Sequence, residues 1–195
     1  MENHLINYLL KFRDIPEKEQ QQIINSFEVT HYKSGVCLSD AGQIMNQLIF
    51  INKGILKITI PENLENEEEE ITYYFMNEHQ FMGFLYSMYG DIPAKHGLQA
   101  ACDTEVLLIN KKELYDLYEQ LPYLKGLINE ISNLSMANMI NVISSYTRGT
   151  SLTRYQLFLK QQPEIAMNVA QIDIASYLGI TPQSLSRIRK KLVSG

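Results

Sequence analysis

The sequence has no tryptophan and only two cysteines among its 195 residues. Two cysteines, Cys37 and Cys102, are too few for a disulfide framework, and they also lack any CxxC spacing. An iron–sulfur cluster with four thiolate ligands is excluded as well, because two cysteines cannot supply them. Two isolated thiols are typical of a reducing compartment, so we expect a cytoplasmic protein in which both cysteines are buried packing residues.

Long apolar runs are also missing, and with them the usual membrane-spanning segments. Nowhere do 18 apolar residues follow one another, and the start Met1–His4 has none of the basic residues that open a secretory leader. We therefore expect no membrane partner and no export signal.

Enzyme signatures are absent too. The sequence contains no P-loop, no GxGxxG and no Ser/His/Asp pattern. His31, His79 and His96 stand apart in sequence, which favours surface or hydrogen-bonded histidines over a metal centre. We expect no catalytic activity, no metal and no cofactor. A metal-dependent enzyme on a β-rich scaffold stays an alternative, which stoichiometric metal in the purified protein would favour.

Positive charge is scarce, with 17 Lys and Arg against 22 Asp and Glu and a net charge of −5. This balance disfavours nucleic acid, whose phosphates attract basic surfaces. The charge is unevenly divided, however. Residues before Arg148 carry 10 basic and 20 acidic side chains, whereas residues from Arg148 onward carry 7 and 2. An acidic body joined to a basic C-terminal segment is therefore predicted.

The first 121 residues have the pattern of short strands that follow one helix, Ile15–Ser26. The strands are rich in β-branched and aromatic residues and are separated by glycines. They are predicted over Val29–Tyr32, Leu48–Asn52, Ile55–Ile60, Ile71–Met76 and Glu105–Ile109. This pattern predicts an α+β fold class with an N-terminal antiparallel β roll of the jelly-roll type in residues 1–121. The acidic run Pro61–Glu70 is interpreted as a solvated hairpin tip.

A long helix is predicted over residues 122–147, after a short helix from Asn110 to about Glu119. Between Leu127 and Thr147 only Glu130 is charged, so the apolar arc is wider than one buried face needs. We expect this helix to cover the roll and to form a homodimer, with the central helix of a monomeric core as the alternative. The predicted dimer interface consists of Ile128, Ile131, Ser135, Asn138, Met139, Val142 and Tyr146.

Residues 148–195 are predicted to form a small helical domain. Its first helix is expected to be capped by Ser151 or Thr153 and to end near Lys160, because Pro163 cannot continue it.

The segment Gln171–Lys190 has the pattern of a helix-turn-helix. Ala175 allows the two helices to approach closely, and Gly179 suits a turn with positive φ. Thr181 is a suitable N-cap and Pro182 a suitable first residue for the second helix. The apolar residues expected to join the helices are Ile174, Leu178, Ile180, Leu185 and Ile188. Leu192 is expected to continue the inner face of the second helix.

The opposite face of the second helix is rich in hydrogen-bond donors. Gln183 can bond an adenine edge and Arg187 can bond guanine O6 and N7. Hydroxyl groups and basic side chains suit the phosphate backbone. The predicted DNA-binding residues are Thr181, Gln183, Ser184, Ser186, Arg187, Arg189, Lys190 and Lys191. An amphipathic helix with a solvated basic face is the alternative.

With its β-rich N-terminal part, long helix and C-terminal segment Ile174–Leu192, the chain resembles the Crp/Fnr family of bacterial transcription regulators. The resemblance implies a cyclic-nucleotide-binding-like roll, a dimer through the long helix and a DNA-reading domain. In the family, bases are read near the start of the recognition helix and one turn later, which implies Pro182, Gln183 and Arg187 here. Pro182 has no long polar side chain, so base reading is expected to rest on the other two.

The effector pocket that the resemblance implies departs from the family pattern. Its candidate residues are Gly83, Phe84, Tyr86, Gln99 and Ala100. Phe84 stands where cyclic-nucleotide binders have Glu, and Gln99 where they have Arg. A pocket without a cation would leave a buried phosphodiester unneutralised, so cyclic AMP is not expected to be the effector.

The sequence favours a homodimeric regulator that binds double-stranded DNA, with RNA polymerase as a candidate further partner and the effector unknown or absent. Family members continue into a β wing, but only three residues follow Leu192, so the winged-helix-like domain is expected to lack its wing. The alternative is a small-molecule-binding β-roll module whose helix-turn-helix serves protein interaction.

Overall fold

The structure is a computed structural model that describes residues 4–63 and 66–193. Side chains are described at all of these positions except 62, 63, 66–69, 85, 86 and 193. The elements in chain order are α1 (His4–Leu9), α2 (Glu17–Asn25), β1 (Glu28–Tyr32), β2 (Cys37–Ser39), β3 (Gln47–Lys53), β4 (Leu56–Asn63), β5 (Asn66–Met76), β6 (Phe81–Met82), α3 (Leu85–Gly90), β7 (Gly97–Ala100), β8 (Thr104–Asn110), α4 (Lys111–Gln120), α5 (Pro122–Ser145), α6 (Ser151–Gln161), α7 (Pro163–Asn168), α8 (Gln171–Tyr177) and α9 (Pro182–Val193).

Two four-stranded sheets form the predicted β roll, with strand orders β1-β8-β3-β6 and β2-β7-β4-β5 and antiparallel pairing throughout. Strand β3 is buried on both faces because its side chains alternate between two cores. Leu48 and Phe50 pack with residues of α1, α4 and α5. Ile49 and Ile51 pack against the second sheet. The predicted α+β architecture of roll, long helix and C-terminal helices is confirmed.

The predicted hairpin around the acidic run is present as β4 and β5. Their register places Pro61 opposite Glu70 and Asn63 opposite Asn66. The solvated tip itself falls on residues 64 and 65 and on neighbouring side chains, which lie outside the described part of the chain. The same holds for Ser194 and Gly195, on which the expectation of a missing wing rests.

The elements that sequence reasoning missed are short. Helices α1, α3 and α7 have six residues each, and β2, β6 and β7 have two to four. Segments of this length contain too few residues to show a helical or strand period. They are stabilised by the roll and the helices around them, which a local pattern does not reveal.

Two local predictions were wrong. Cys37 is exposed rather than buried, and its partial desolvation and the nearby Asp40 carboxylate raise the pKa of its thiol to about 11. The cap of α6 is Thr150, whose hydroxyl accepts a hydrogen bond from the Thr153 backbone N–H at 3.3 Å. Thr150 lies just before the helix with extended backbone, as an N-cap requires, whereas Ser151 and Thr153 are already helical.

Helix α5 has 24 residues and is about 36 Å long. The buried side chains of α5 all lie in its first half, and they are Leu124, Leu127, Ile128 and Ile131. Its second half leaves apolar side chains in solvent, since Leu134, Met136 and Ile140 are 55%, 47% and 58% exposed. None of the helices in the described ranges is long and apolar enough to cross a membrane.

Helix α8 is docked on the outer face of β4 and β5. The Lys57 ammonium lies 2.6 Å from the Asp173 carboxylate, and their side chains are only 11% and 18% exposed. The Thr72 backbone N–H donates to the Ser176 hydroxyl at 2.9 Å. The C-terminal helices and the roll therefore share a polar and largely buried interface.

Tyr177 forms the apolar half of this interface. Its ring lies edge-on to Phe75 of the roll, with 4.9 Å between centroids, and to Tyr146 at the end of the long helix, with 5.5 Å. Phe158 of α6 completes the cluster. Burial and the neighbouring tyrosines Tyr146 and Tyr74 raise the pKa of the Tyr177 hydroxyl, so the side chain stays neutral.

Replacing Asp173 with Asn should destabilise the protein, because the Lys57 charge would stay buried without a counter-ion. We expect a loss of about 3 kcal/mol in the free energy of unfolding, measured by urea denaturation. The double variant Lys57→Met/Asp173→Leu should lie within about 1 kcal/mol of the original protein, because no buried charge is left.

The matched control is the exposed pair Lys33–Asp103, which has the similar distance of 2.7 Å. Asp103→Asn should leave the urea midpoint unchanged, because both side chains are hydrated. Equal effects of the two asparagine substitutions would contradict a structural role for the buried pair.

Candidate functional site

Helices α8 and α9 form the predicted helix-turn-helix. Gly179 has φ +62°, the left-handed conformation expected for the turn. The Ile180 backbone N–H donates to the Ala175 carbonyl at 3.0 Å, which closes the turn onto α8. The contact between the helices is apolar, and its fully buried members are Ile174, Ala175, Leu178 and Leu185.

The start of α9 has the predicted capping chemistry. The Thr181 hydroxyl accepts a hydrogen bond from the Ser184 backbone N–H at 3.2 Å, and it lies 2.9 Å from the Ser184 hydroxyl. Pro182 is the first helical residue. Both hydroxyls thus lie at the positive end of the helix dipole, where an anion is stabilised.

The outward face of α9 carries the predicted DNA-binding side chains. Gln183 and Arg187 are both exposed and lie four residues apart, which is about 6 Å along the axis. Ser186, Lys190 and Lys191 are exposed as well, whereas Ser184 and Arg189 are half-buried. Helix α9 contains no acidic residue, so nothing on the helix itself opposes an approaching phosphate.

Leu192 is not buried as an inner-face residue would be, since it is 39% exposed. The inner side chains of α9 become more exposed toward its C-terminal end. Leu185 is 0% exposed, whereas Ile188 is only partly buried. The helix leaves the apolar cluster before it reaches Leu192.

The predicted effector-pocket residues lie partly inside the roll core and partly outside it. Phe84 and Ala100 are buried in the roll core, and the Phe84 ring stacks on His96 with 6.3 Å between centroids. Gln99 is opposite Lys57 in the strand register. Neighbours in register share a face, so Gln99 lies on the outer face with Lys57, away from the inward Leu98.

Gly83, the chain neighbour of Phe84, lines a cleft between α5 and the roll. The side chain of Tyr86 lies outside the described part of the structure. Burial and the nearby Lys95 lower the pKa of His96, which keeps the ring beside Phe84 neutral at physiological pH.

Most of the predicted dimer stripe faces the roll and the C-terminal helices of its own protomer. Ile128, Ile131 and Tyr146 are 3%, 0% and 6% exposed. Ser135, Met139 and Val142 are half-buried, and only Asn138 is exposed. The dimer interface therefore stays a prediction, and the side chains of α5 available for it are chiefly the outward ones: Leu134, Ala137, Asn138, Asn141 and Ser144.

Histidines and carboxylates do not gather into a metal site in residues 4–63 and 66–193, where no three His, Cys, Asp or Glu side chains could hold one ion. The site features that sequence reasoning missed are the Lys57–Asp173 pair and the cleft beside α5. Both join residues far apart in the chain, and no local spacing indicates them.

Comparison with known proteins agrees with this geometry. Residues 29–121 match the family model described as a cyclic nucleotide-binding domain. No curated protein matches the sequence.

Solved structures resemble the chain over nearly its full length. The c-di-GMP-responsive global regulator CLP of Xanthomonas campestris is 15% identical, with a TM-score of 0.69 and 92% of each chain covered. FixK2 from Bradyrhizobium japonicum is 15% identical, with a TM-score of 0.68. The match covers 86% of this chain and 85% of the FixK2 chain. The catabolite activator protein of Thermus thermophilus is 16% identical, with a TM-score of 0.55. The match covers 96% of this chain and 87% of that protein. At these identities the likeness shows the fold.

The turn at Gly179 gives a direct test of the helix-turn-helix geometry. Gly179→Ala should destabilise the protein by about 1 kcal/mol, because an L-residue is strained at φ +62° although the space around it is open. Urea denaturation measures the change.

Gly126 within α5 is the matched control, because a Cβ there meets nothing within 4 Å and φ is not positive. Gly126→Ala should stabilise the protein by up to about 1 kcal/mol through helix propensity. The turn geometry would be contradicted if both substitutions were stabilising.

Proposed function

We propose that this chain is a sequence-specific DNA-binding transcription regulator of the Crp/Fnr type, which acts as a homodimer on a pseudo-palindromic site. The observation that carries the proposal is the open face of α9, where Gln183 and Arg187 project one turn apart from a capped helix without acidic residues. The fold shared with solved regulators supports it. We assign the protein no catalytic activity and place it in the cytoplasm.

Base reading is assigned to two side chains. Gln183 has the paired donor and acceptor that recognise an adenine edge, and Arg187 has the two donors that recognise guanine. Phosphate binding is assigned to the hydroxyls of Thr181, Ser184 and Ser186, together with the basic residues Arg189, Lys190 and Lys191. The acidic body would keep the rest of the surface away from DNA, which concentrates contact on α9.

Dimerisation is assigned to the outward face of α5. From Ile131 to Ser145 the helix has no charged residue, although much of this stretch is exposed. A wide uncharged helix face suits a second copy, because two such helices bury their apolar side chains without leaving charges unpaired. Two recognition helices placed this way would enter successive major grooves about 34 Å apart.

Cyclic AMP is not the effector we propose. The place of the family glutamate is filled by Phe84 within the roll core, and Gln99 is neither cationic nor turned inward. A cyclic phosphate there would lose its hydration without gaining a positive partner. RNA polymerase is the further partner expected if the output is activation.

Substitution of the two base-reading residues should abolish specific binding. Gln183→Ala and Arg187→Ala should each weaken binding to the preferred duplex about 5- to 150-fold, because each removes about 1–3 kcal/mol of base recognition. The duplex is first selected from random DNA with the original protein, and affinities are then measured by fluorescence anisotropy at moderate salt.

Two controls separate base reading from charge. Lys191→Ala should weaken all duplexes alike and reduce the salt slope by about 1, because it removes one phosphate contact. Lys18→Ala removes an exposed charge on α2 and should change nothing. If the double variant Gln183→Ala/Arg187→Ala bound DNA as well as the original protein, a protein-interaction role for the helix-turn-helix would replace this proposal.

A charge on the outward face of α5 should produce monomers. Leu134→Glu would bury a carboxylate in the proposed interface, and we expect the mass from light scattering to fall from two chains to one. Met167→Glu is the control, because Met167 is 75% exposed on α7 and lies outside the interface. A dimer that survives Leu134→Glu would place the interface elsewhere.

A further inference from the structure

Arg154 lies in the first turn of α6 and is half-buried. Its Nε atom is fully buried and has no hydrogen-bond partner. No described carboxylate pairs with its guanidinium, whereas the buried Lys57 ammonium is held by Asp173. In the part of the chain that the structure describes, Arg154 is thus the one basic side chain with a buried and unpartnered nitrogen.

This placement of a charge opposes folding. A guanidinium stays protonated throughout the physiological pH range, so deprotonation does not relieve its loss of hydration. A buried N–H without an acceptor lowers stability, whereas an apolar side chain of similar length would fill the same space without a polar group. We therefore expect this charge to serve a contact outside the folded chain.

The guanidinium reaches the turn of the helix-turn-helix. Its Nη1 atom lies 3.7 Å from the position that a Cβ on Gly179 would take. Gly179 is exposed, so the outer end of the guanidinium lies close to the surface although Nε does not. Thr181, the N-cap of α9, follows two residues later. A basic group from α6 therefore stands beside the start of the predicted recognition helix.

Packing holds Arg154 in this position. Phe158, one turn later on the same face of α6, is fully buried in the apolar cluster that includes Leu178 and Leu185. The Arg154 backbone N–H donates to the Thr150 carbonyl at 2.9 Å, within the capped first turn of the helix. The side chain thus starts from a rigid element, which reduces the entropy lost when it binds a ligand.

The chemistry of this place suits a phosphate group. The terminal nitrogens of a guanidinium present paired N–H donors that match two phosphate oxygens. The hydroxyls of Thr181 and Ser184 lie at the same turn, at the positive end of the α9 dipole. Neither α6 nor α9 contains an acidic residue that would repel an anion.

We propose that Arg154 binds a phosphate of the DNA backbone beside the start of α9, so that α6 and α9 grip the same duplex. The inference rests on the proposed function, because the phosphate belongs to the DNA that α9 reads. Backbone contacts orient a protein on DNA and carry no sequence information. Arg154 is therefore a positioning residue, which holds α9 where Gln183 and Arg187 reach the bases.

Removing the charge should weaken binding to every duplex. Arg154→Met should lower the affinity for the selected duplex and for a scrambled one by at least about tenfold in fluorescence anisotropy, the effect of losing one charge-assisted hydrogen bond. The salt slope should fall by about 1 for each bound chain. Lys160→Met is the matched control, because Lys160 is exposed on the same helix about 9 Å further along its axis. It should change neither quantity.

Urea denaturation separates this role from a structural one. Arg154→Met should unfold at the same urea concentration as the original protein or at a higher one, because it removes a buried charge without a partner. Arg154→Lys keeps the charge and should keep the salt slope. If the methionine variant does not fold, Arg154→Gln removes the same charge with a polar side chain and should show the same loss of slope.

Ethylation interference on the selected duplex locates the contact. With the original protein, ethylation of one particular phosphate in each half-site should block binding, and with Arg154→Gln the interference at that phosphate alone should disappear. An unchanged interference pattern would overturn the proposal. So would a lower urea midpoint of Arg154→Met combined with normal DNA affinity, which would show a purely structural role. If the original protein binds no DNA, the proposed function fails together with this inference.

Discussion

The contact between α8 and the β4–β5 hairpin determines how the C-terminal helices are held. Lys57 and Asp173 make a short ion pair from which most water is excluded, and Tyr177 packs on Phe75 beside it. An ion pair this buried has a high cost if either partner is lost, so it specifies one docked arrangement. Helix α9 packs on α8 through Ala175, Leu178 and Leu185, and its orientation follows from that of α8.

The β4–β5 hairpin lies between the cleft beside α5 and the C-terminal helices. Side chains alternate along a strand, so Tyr74 and Met76 of β5 face the cleft beside α5, while Phe75 between them faces Tyr177 of α8. One strand therefore separates the cleft beside α5 from the helix-turn-helix. The distribution of charge agrees with this division, since the body is acidic and the outward face of α9 is basic.

Much of this architecture could be predicted from local patterns. The helix-turn-helix was predictable because Ala175, Gly179 and Thr181 each meet a steric or capping requirement that few residues satisfy. The roll was predictable from strand composition. The dimer stripe was harder, because an apolar face such as that of Ile128 and Ile131 has the same pattern whether it covers its own roll or a partner.

The direction in which the predicted effector-pocket side chains point could not be derived from sequence, because a shift of one residue along a strand turns a side chain to the opposite face. Gln99 shows this directly, since its neighbours Leu98 and Ala100 point inward and it does not. The Lys57–Asp173 pair and the cleft beside α5 depend on contacts between distant segments. Only the assembled fold brings those segments together.

The central claim is that two copies of α9 read one DNA site. Hydroxyl-radical footprinting of the full chain on a selected duplex tests it most directly. We predict two protected half-sites, related by two-fold symmetry and centred about 10 base pairs apart, with two chains bound per duplex. A single protected segment, or protection with no preferred position along the DNA, would contradict the account.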